Sequence, residues 1–235
     1  MTVKKNIELI CDKVRRILEE LPADVTLEAA AKGRTAGEIR KAVAAGVTII
    51  GENYVSEAKQ VYRQLRGREI GKKIQWHFIG VLGKAKHDVL RRKNLRMFDM
   101  IETVDSFELA TEISDRCAKI DKTMPILIEV NSGRESQKAG VLPEHTERLA
   151  LDIAGLSNVR LMGLMTMGPR FGDPENSRPY FVNTRELFDQ LKSLDAENVE
   201  MKYLSMGMTN SYKIAIEEGA NMVRIGTKIF RERKE

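Results

Sequence analysis

Three stretches decide the fold: the run Val25-Thr26-Leu27-Glu28-Ala29-Ala30-Ala31, the segment opening at Thr35-Ala36-Gly37-Glu38, and the run Val47-Thr48-Ile49-Ile50. The two apolar runs have the length of buried strands, and the segment between them has the length of one crossover helix. Thr35-x-x-Glu38 has the form of a capping box, and Gly46 stands where a helix C-terminus is usually closed. Strand, helix and strand in this order make a parallel βαβ unit, because parallel strands need a crossover connection.

The same rhythm extends in both directions. Upstream, Ile7, Ile10, Cys11, Val14, Ile17 and Leu18 recur at helical spacing, which predicts an amphipathic helix ended near Pro22. Downstream, strands are expected over residues 74–79, 97–102, 125–130, 159–165, 201–205 and 222–225. Helices are expected from Asn53, over residues 84–93, from Ser106, from Pro143, from about Ser177 and over residues 209–218. Asp105-x-x-Glu108 reads as a second capping box, Pro143 suits a first helical turn, and Gly219 suits a helix end. Eight strand–helix units fit a chain of 235 residues, close to the roughly 250 typical of a complete barrel. The expectation is an α/β fold: one (β/α)8 TIM barrel spanning residues 1–235 as a single domain, with an extra N-terminal helix.

Composition narrows the function classes. With 42% apolar and 31% charged residues the chain has the balance of a folded globular protein. The net charge of +5 arises from 39 basic and 34 acidic residues interspersed along the chain, whereas nucleic-acid binding favours a clustered basic face. The densest basic run, Arg91-Arg92-Lys93, is read as a solvated helix end. Cys11 and Cys117 lack zinc-type spacing, so both are expected to be reduced and structural, and no metal site is expected. The first 21 residues are broken by charges, and no segment is apolar enough to span a bilayer, so a soluble, cytoplasmic protein is expected; a monomer is also expected.

In a closed barrel the C-terminal ends of the strands converge on one mouth, so Lys32 after strand one should meet Ser205-Met206-Gly207 after strand seven and Arg224-Ile225-Gly226-Thr227 after strand eight. Loops seven and eight are the usual phosphate site of this fold, where backbone amides, glycines and a helix start at Thr209 cradle an anion. Ser205 and Thr227 add hydroxyl donors. A lysine beside such a cradle, flanked by alanines, suits capture of a phosphate-bearing aldehyde. A phosphosugar enzyme with a Schiff-base lysine would explain these features equally. The longest irregular stretches, residues 131–142 and 168–178, follow strands and are candidate lids.

Several blocks carry a more specific signal: Gly51-Glu52-Asn53-Tyr54-Val55, Trp76-His77-Phe78-Ile79-Gly80, Gly163-Leu164-Met165-Thr166-Met167-Gly168, Leu204-Ser205-Met206-Gly207-Met208-Thr209 and Val223-Arg224-Ile225-Gly226-Thr227-Lys228-Ile229-Phe230. In this order they resemble the YggS/PROSC family of pyridoxal 5′-phosphate (PLP) homeostasis proteins, which share the barrel of the alanine racemase N-terminal domain, PLP fold type III. The resemblance implies PLP as cofactor, held covalently and reversibly as a Schiff base on Lys32. It implies phosphate contacts from Ser205 with the Gly226 and Thr227 amides, Arg224 facing the pyridine nitrogen, and Asn53, Met165 and Met206 around the ring.

Residue by residue, other readings stay open: Met165 and Met206 as core packing, Asn53 as a helix cap, His77 as a strand histidine satisfied inside the barrel. Lys138, in the loop after strand five, reads as solvated or as a secondary amine for PLP transfer. The chain departs from the family pattern at Ala30-Ala31-Lys32-Gly33-Arg34-Thr35 and Val81-Leu82-Gly83-Lys84, where polar residues are lost. The implied function is intracellular PLP homeostasis or delivery, with PLP-dependent apoenzymes as partners and neither nucleic acid nor membrane. The alternative is a small PLP-dependent racemase using Lys32 with Tyr54 or His77 as second base. That alternative is disfavoured because alanine racemase-type catalysis draws its second base from a further C-terminal domain, for which this chain leaves no room.

Overall fold

The computed structural model describes residues 3–169 and 172–230. Eight parallel strands form a closed barrel in sequence order, and β8 pairs with β1. The strands are β1 (Thr26–Ala30), β2 (Ile49–Glu52), β3 (Gln75–Phe78), β4 (Met100–Val104), β5 (Met124–Val130), β6 (Val159–Thr166), β7 (Val199–Ser205) and β8 (Met222–Ile225). The helices are α1 (Val3–Glu20), α2 (Ala36–Ala44), α3 (Val55–Leu65), α4 (Lys86–Val89), α5 (Arg92–Leu95), α6 (Phe107–Ala118), α7 (Pro143–Ala154), α8 (Arg178–Leu191), α9 (Tyr212–Glu217) and α10 (Thr227–Phe230). The TIM-barrel expectation is met, and every expected strand overlaps an observed one.

Local chemistry accounts for the helix boundaries. Thr35 caps α2 as expected: its Oγ accepts from the Glu38 amide while the Glu38 carboxylate accepts from the Thr35 amide. At α6 the cap is Ser106, whose hydroxyl accepts from the Leu109 amide, and not Asp105. The single helix expected over residues 84–93 is instead a 3-10 turn followed by α4 and α5. Arg91 is extended between them, and the Asn94 side chain takes the Asp88 carbonyl, so a side chain competes with the helical ladder. Arg91-Arg92-Lys93 therefore opens a new turn, fully exposed to solvent. α9 begins at Tyr212 and not Thr209, because Met208 to Ser211 form a turn closed by Ser211 N–H donating to the Met208 carbonyl (2.9 Å).

Strand residues alternate between two environments. Ile50, Phe78, Ile101, Ile126, Ile128, Leu204, Val223 and Ile225 pack outward against the helix layer in one continuous apolar core. Each such side chain contributes roughly 1.5–3 kcal/mol when fully buried. α1 adds Ile10, Val14 and Ile17 to the same core and packs on α2 and α10. The opposite face of the strands fills the barrel interior, where branched apolar layers are usual. Here that interior is mixed: Met100, Leu127, Met162 and Met165 form a small apolar cluster, while Glu28, His77, Glu102, Glu129, Ser205 and Arg224 are all buried.

Candidate functional site at the barrel mouth

A cavity of about 250 Å³ opens at the C-terminal ends of β1, β7 and β8. Its walls include Ala30, Met208, Thr209, Ser211, Arg224, Gly226 and Thr227. The loop after β6 closes one side through Pro169, Gly172, Asp173, Pro174 and Ser177, so the second expected lid does border the site. Gly226 is required by close approach, since a Cβ there would lie 3.1 Å from the Ala30 carbonyl oxygen. Gly207 adopts φ +90°, which turns the chain from β7 into the loop. The Thr227 hydroxyl donates to that of Thr209 at 3.1 Å, joining the loops after β7 and β8. α10 starts at Thr227; the Ile229 and Phe230 amides donate to the Gly226 carbonyl, and the Thr227 and Lys228 amides precede the first bonds of this turn. Hydroxyls, free amides and a glycine together form an anion cradle.

Lys32 follows β1 by two residues, and its Nζ lies 5.2 Å from the centre of the Tyr54 ring. Its side chain is exposed, not shielded by the alanines preceding it, because Ala31 turns inward to the core while Lys32 turns to solvent. At the back of the cavity wall Arg224 is 4% exposed; its Nη1 donates to Ser205 Oγ (2.6 Å) and its Nη2 to the Thr166 carbonyl (2.8 Å).

The remaining expected site residues divide clearly. Gly226, Thr227 and Arg224 line the cavity. Ser205 is fully buried one contact behind that wall, accepting from Arg224 and donating to Glu102 (2.8 Å). Thr209 and Ser211, a turn further on, stand on the cavity side instead. Met206 is fully buried in the outer core and Met165 in the interior methionine cluster. The Asn53 amide donates to the Ile79 carbonyl (3.4 Å), tying the ends of β2 and β3, and Tyr54 takes the cap position of α3. His77 is 2% exposed and bonds Glu102 through Nδ1 (2.7 Å), away from the cavity wall. Lys138 is half-buried and paired with Glu135, and donates to the Gly168 carbonyl (3.1 Å), so it links the two long loops and is not freely solvated.

Sequence reasoning missed the interior carboxylates. Burial pushes Glu28 well above its ordinary value, the Glu102 charge adds to this, and Arg224 only partly opposes it. Burial also pushes Glu102 up, but the hydrogen bond and charge of His77, the charge of Arg224 and the Ser205 hydroxyl outweigh it and hold that carboxyl low. Burial and Asp105 push Glu129 up to about 7. Glu28, His77 and Glu102 present ligand-type atoms within 4.8 Å of one another, yet Glu102 is already satisfied by His77 and Ser205, and the Arg224 charge stands beside them. This describes a hydrogen-bonded charge network more than a cation site.

A parallel barrel whose last two loops cradle an anion beside a strand-end lysine defines a class: barrels that hold a phosphorylated ligand at the mouth. Residues 5–233 match the family described as alanine racemase, N-terminal domain, and the chain belongs to that family. A pyridoxal phosphate homeostasis protein of Aquifex aeolicus is 37% identical over 236 residues, covering 95% of this chain and 98% of the relative. The protein of the same name from Escherichia coli strain K12 is 32% identical over 210 residues, covering 89% and 86%. Among solved structures, PipY of Synechococcus elongatus with PLP bound superposes with a TM-score of 0.82 at 28% identity, covering 94% of this chain and 99% of PipY. Alanine racemase of Clostridium difficile shares the fold alone, with a TM-score of 0.75 at 16% identity.

Proposed function

We propose that this chain binds pyridoxal 5′-phosphate at the barrel mouth, holds it covalently and reversibly through Lys32, and acts in PLP homeostasis or delivery. The observation that carries the reading is that β1, which Lys32 follows by two residues, runs beside β8, after which Gly226 and Thr227 line a cavity with Thr209 and Ser211. The residues fit the group. A phosphate matches the free amides of α10 and the paired hydroxyls, and a fixed guanidinium matches the unprotonated nitrogen of a pyridine ring. The names of the relatives and the PLP-bound PipY structure point the same way.

When bound, PLP supplies an aldehyde that reacts with amines and a ring that withdraws electrons. The chain's own residues then determine the outcome. Lys32 Nζ is at the solvent edge, with an open path for entry and exit. Arg224, a cation that cannot be deprotonated in proteins, keeps a proton off the ring nitrogen and so weakens the ring as an electron sink. Thr209 and Thr227 retain the phosphate by hydrogen bonds. Binding with weakened ring chemistry suits a carrier better than a racemase. His77 is locked to Glu102 inside the barrel, and Tyr54 already packs against the Lys32 ammonium, on the same side as the lysine. PLP-dependent apoenzymes would be the recipients, with a cytoplasmic monomer as the carrier.

Titration with PLP and with unphosphorylated pyridoxal, followed by absorbance, tests the proposal. PLP should bind at least tenfold more tightly, and mixing the loaded protein with a PLP-dependent apoenzyme should restore that enzyme's activity. Equal affinity for the two aldehydes would refute the cradle. Racemisation of alanine or serine at enzyme-like rates would refute the carrier reading.

A further inference from the structure

Arg224 does not stand alone behind the cavity. It is one end of a buried chain that crosses the barrel from β8 to β3. Its Nη1 donates to Ser205 Oγ at 2.6 Å on β7. A hydroxyl that accepts from a guanidinium must turn its single hydrogen elsewhere, and Ser205 donates it to Glu102 Oε2 at 2.8 Å on β4. Glu102 Oε1 in turn meets His77 Nδ1 at 2.7 Å on β3. An ionised carboxylate only accepts, so this contact places a proton on His77 Nδ1. All four residues are at least nine-tenths buried. The second guanidinium arm is fixed independently by the Thr166 carbonyl, and the Thr166 hydroxyl donates to the Val130 carbonyl (2.8 Å).

Three interior carboxylates feel this guanidinium, Glu28, Glu102 and Glu129, and they are not equivalent. Glu28 pairs in register with Arg224 across β1 and β8, but neither of its oxygens is bonded to the guanidinium; its carboxyl lies over Gly51, filling the space a side chain there would take, and burial with the neighbouring Glu102 charge favours its protonated form. A carboxyl in a dry interior with no cation bonded to it is stable only as the neutral acid. Glu102, with a donor at each oxygen, is suited to stay charged. Glu102 is the carboxylate joined to the guanidinium by hydrogen bonds, through one hydroxyl.

We propose that Glu102 is a positioning residue for Arg224: acting through Ser205, it fixes the guanidinium where the cofactor ring nitrogen docks and so sets both the affinity for PLP and the electronic state of the bound ring. The inference rests on the PLP reading above and deepens it, since nothing in that reading requires the interior of the barrel to participate. A charge-assisted chain in a low-dielectric interior is rigid, and removing its middle member leaves Arg224 held only by the Thr166 carbonyl, with Glu28 as an alternative partner.

The test uses the purified full chain titrated with PLP, read by absorption spectrum, dissociation constant and borohydride trapping on Lys32. Ser205→Ala removes the bridge without stranding a charge at that position, and Glu102→Gln removes the counter-charge while keeping shape. Both should still be trapped on Lys32, with PLP affinity down about tenfold and the absorption bands shifted or redistributed, a signature that loss of packing alone does not produce. Glu28→Gln, already matched by a neutral acid, should retain the wild-type bands. If Glu102→Gln fails to fold by circular dichroism, Ser205→Ala decides. Wild-type affinity and bands in folded Ser205→Ala overturn the proposal, as does a shift produced by Glu28→Gln and not by Glu102→Gln. Wild-type protein that shows no PLP band defeats the cofactor reading itself, a result distinct from the other two, and with it the role given to Glu102.

Discussion

Glu52 offers a quantitative test of how the barrel tolerates buried charge. It ends β2 with the same parity as Ile50, so it faces the helix layer and not the barrel interior; it is fully buried, and neither carboxyl oxygen has a hydrogen-bond partner. Burial, assisted by the negative charge of Glu57, pushes its carboxyl up to about 8. In the unfolded chain the same group titrates near 4.5. Between those values the folded protein binds one more proton than the unfolded chain, so stability falls as pH rises, by up to about 1.4 kcal/mol per pH unit. Below the lower value the group has no effect, and above the upper one the loss levels off at about 5 kcal/mol. Glu52→Gln removes the titration and keeps the shape; its amide adds a penalty that does not vary with pH. The stability difference between variant and wild type, from urea unfolding of the cofactor-free protein between pH 5 and 9, should move in favour of the variant as pH rises and flatten above about pH 8. Parallel pH profiles for the two proteins would refute the reasoning.

Other outcomes follow from single contacts. Gly163 sits at φ +141° with the Tyr203 carbonyl 1.9 Å from where a Cβ would stand, so Gly163→Ala should lower stability by several kcal/mol, on the order of 3 or more, read as a large fall in Tm. Thr35→Ala removes the cap of α2 and should cost about 1 kcal/mol in urea unfolding, and unchanged stability would show the cap to be idle. Thr227→Val, which removes one cradle hydroxyl at constant volume, should weaken PLP binding several-fold while leaving the affinity for unphosphorylated pyridoxal unchanged. An equal loss for both would place Thr227 outside the phosphate cradle.

The strands were legible because each is a short apolar run between helical segments, and closure into a barrel followed from counting eight of them. Helix starts were read less well wherever a polar side chain captured the local backbone, as Asn94 does at Asp88 and Ser211 does at Met208. Gly226, Thr227 and Arg224 were found because strand order places them at the mouth. Ser205 shares the interior face with Arg224, but its hydrogen bonds to Arg224 and Glu102 could not be read from the sequence, because which strand face turns inward depends on a register the sequence does not display. The interior network escaped notice for a related reason. Glu28, Glu102 and Glu129 were visible as lone charges within apolar strands, but Glu102 and Ser205 are 103 residues apart, and only the closed barrel joins them. Lone carboxylates within otherwise buried strands were the available signal.

The account depends most on Lys32 as the attachment point. Protein loaded with PLP, reduced with borohydride and digested should yield the reduced cofactor on the peptide containing Lys32, in amounts approaching one per chain, with Lys32→Ala abolishing the label. Absence of label on that peptide, or equal labelling of Lys138 and surface lysines in wild type and Lys32→Ala, would contradict it.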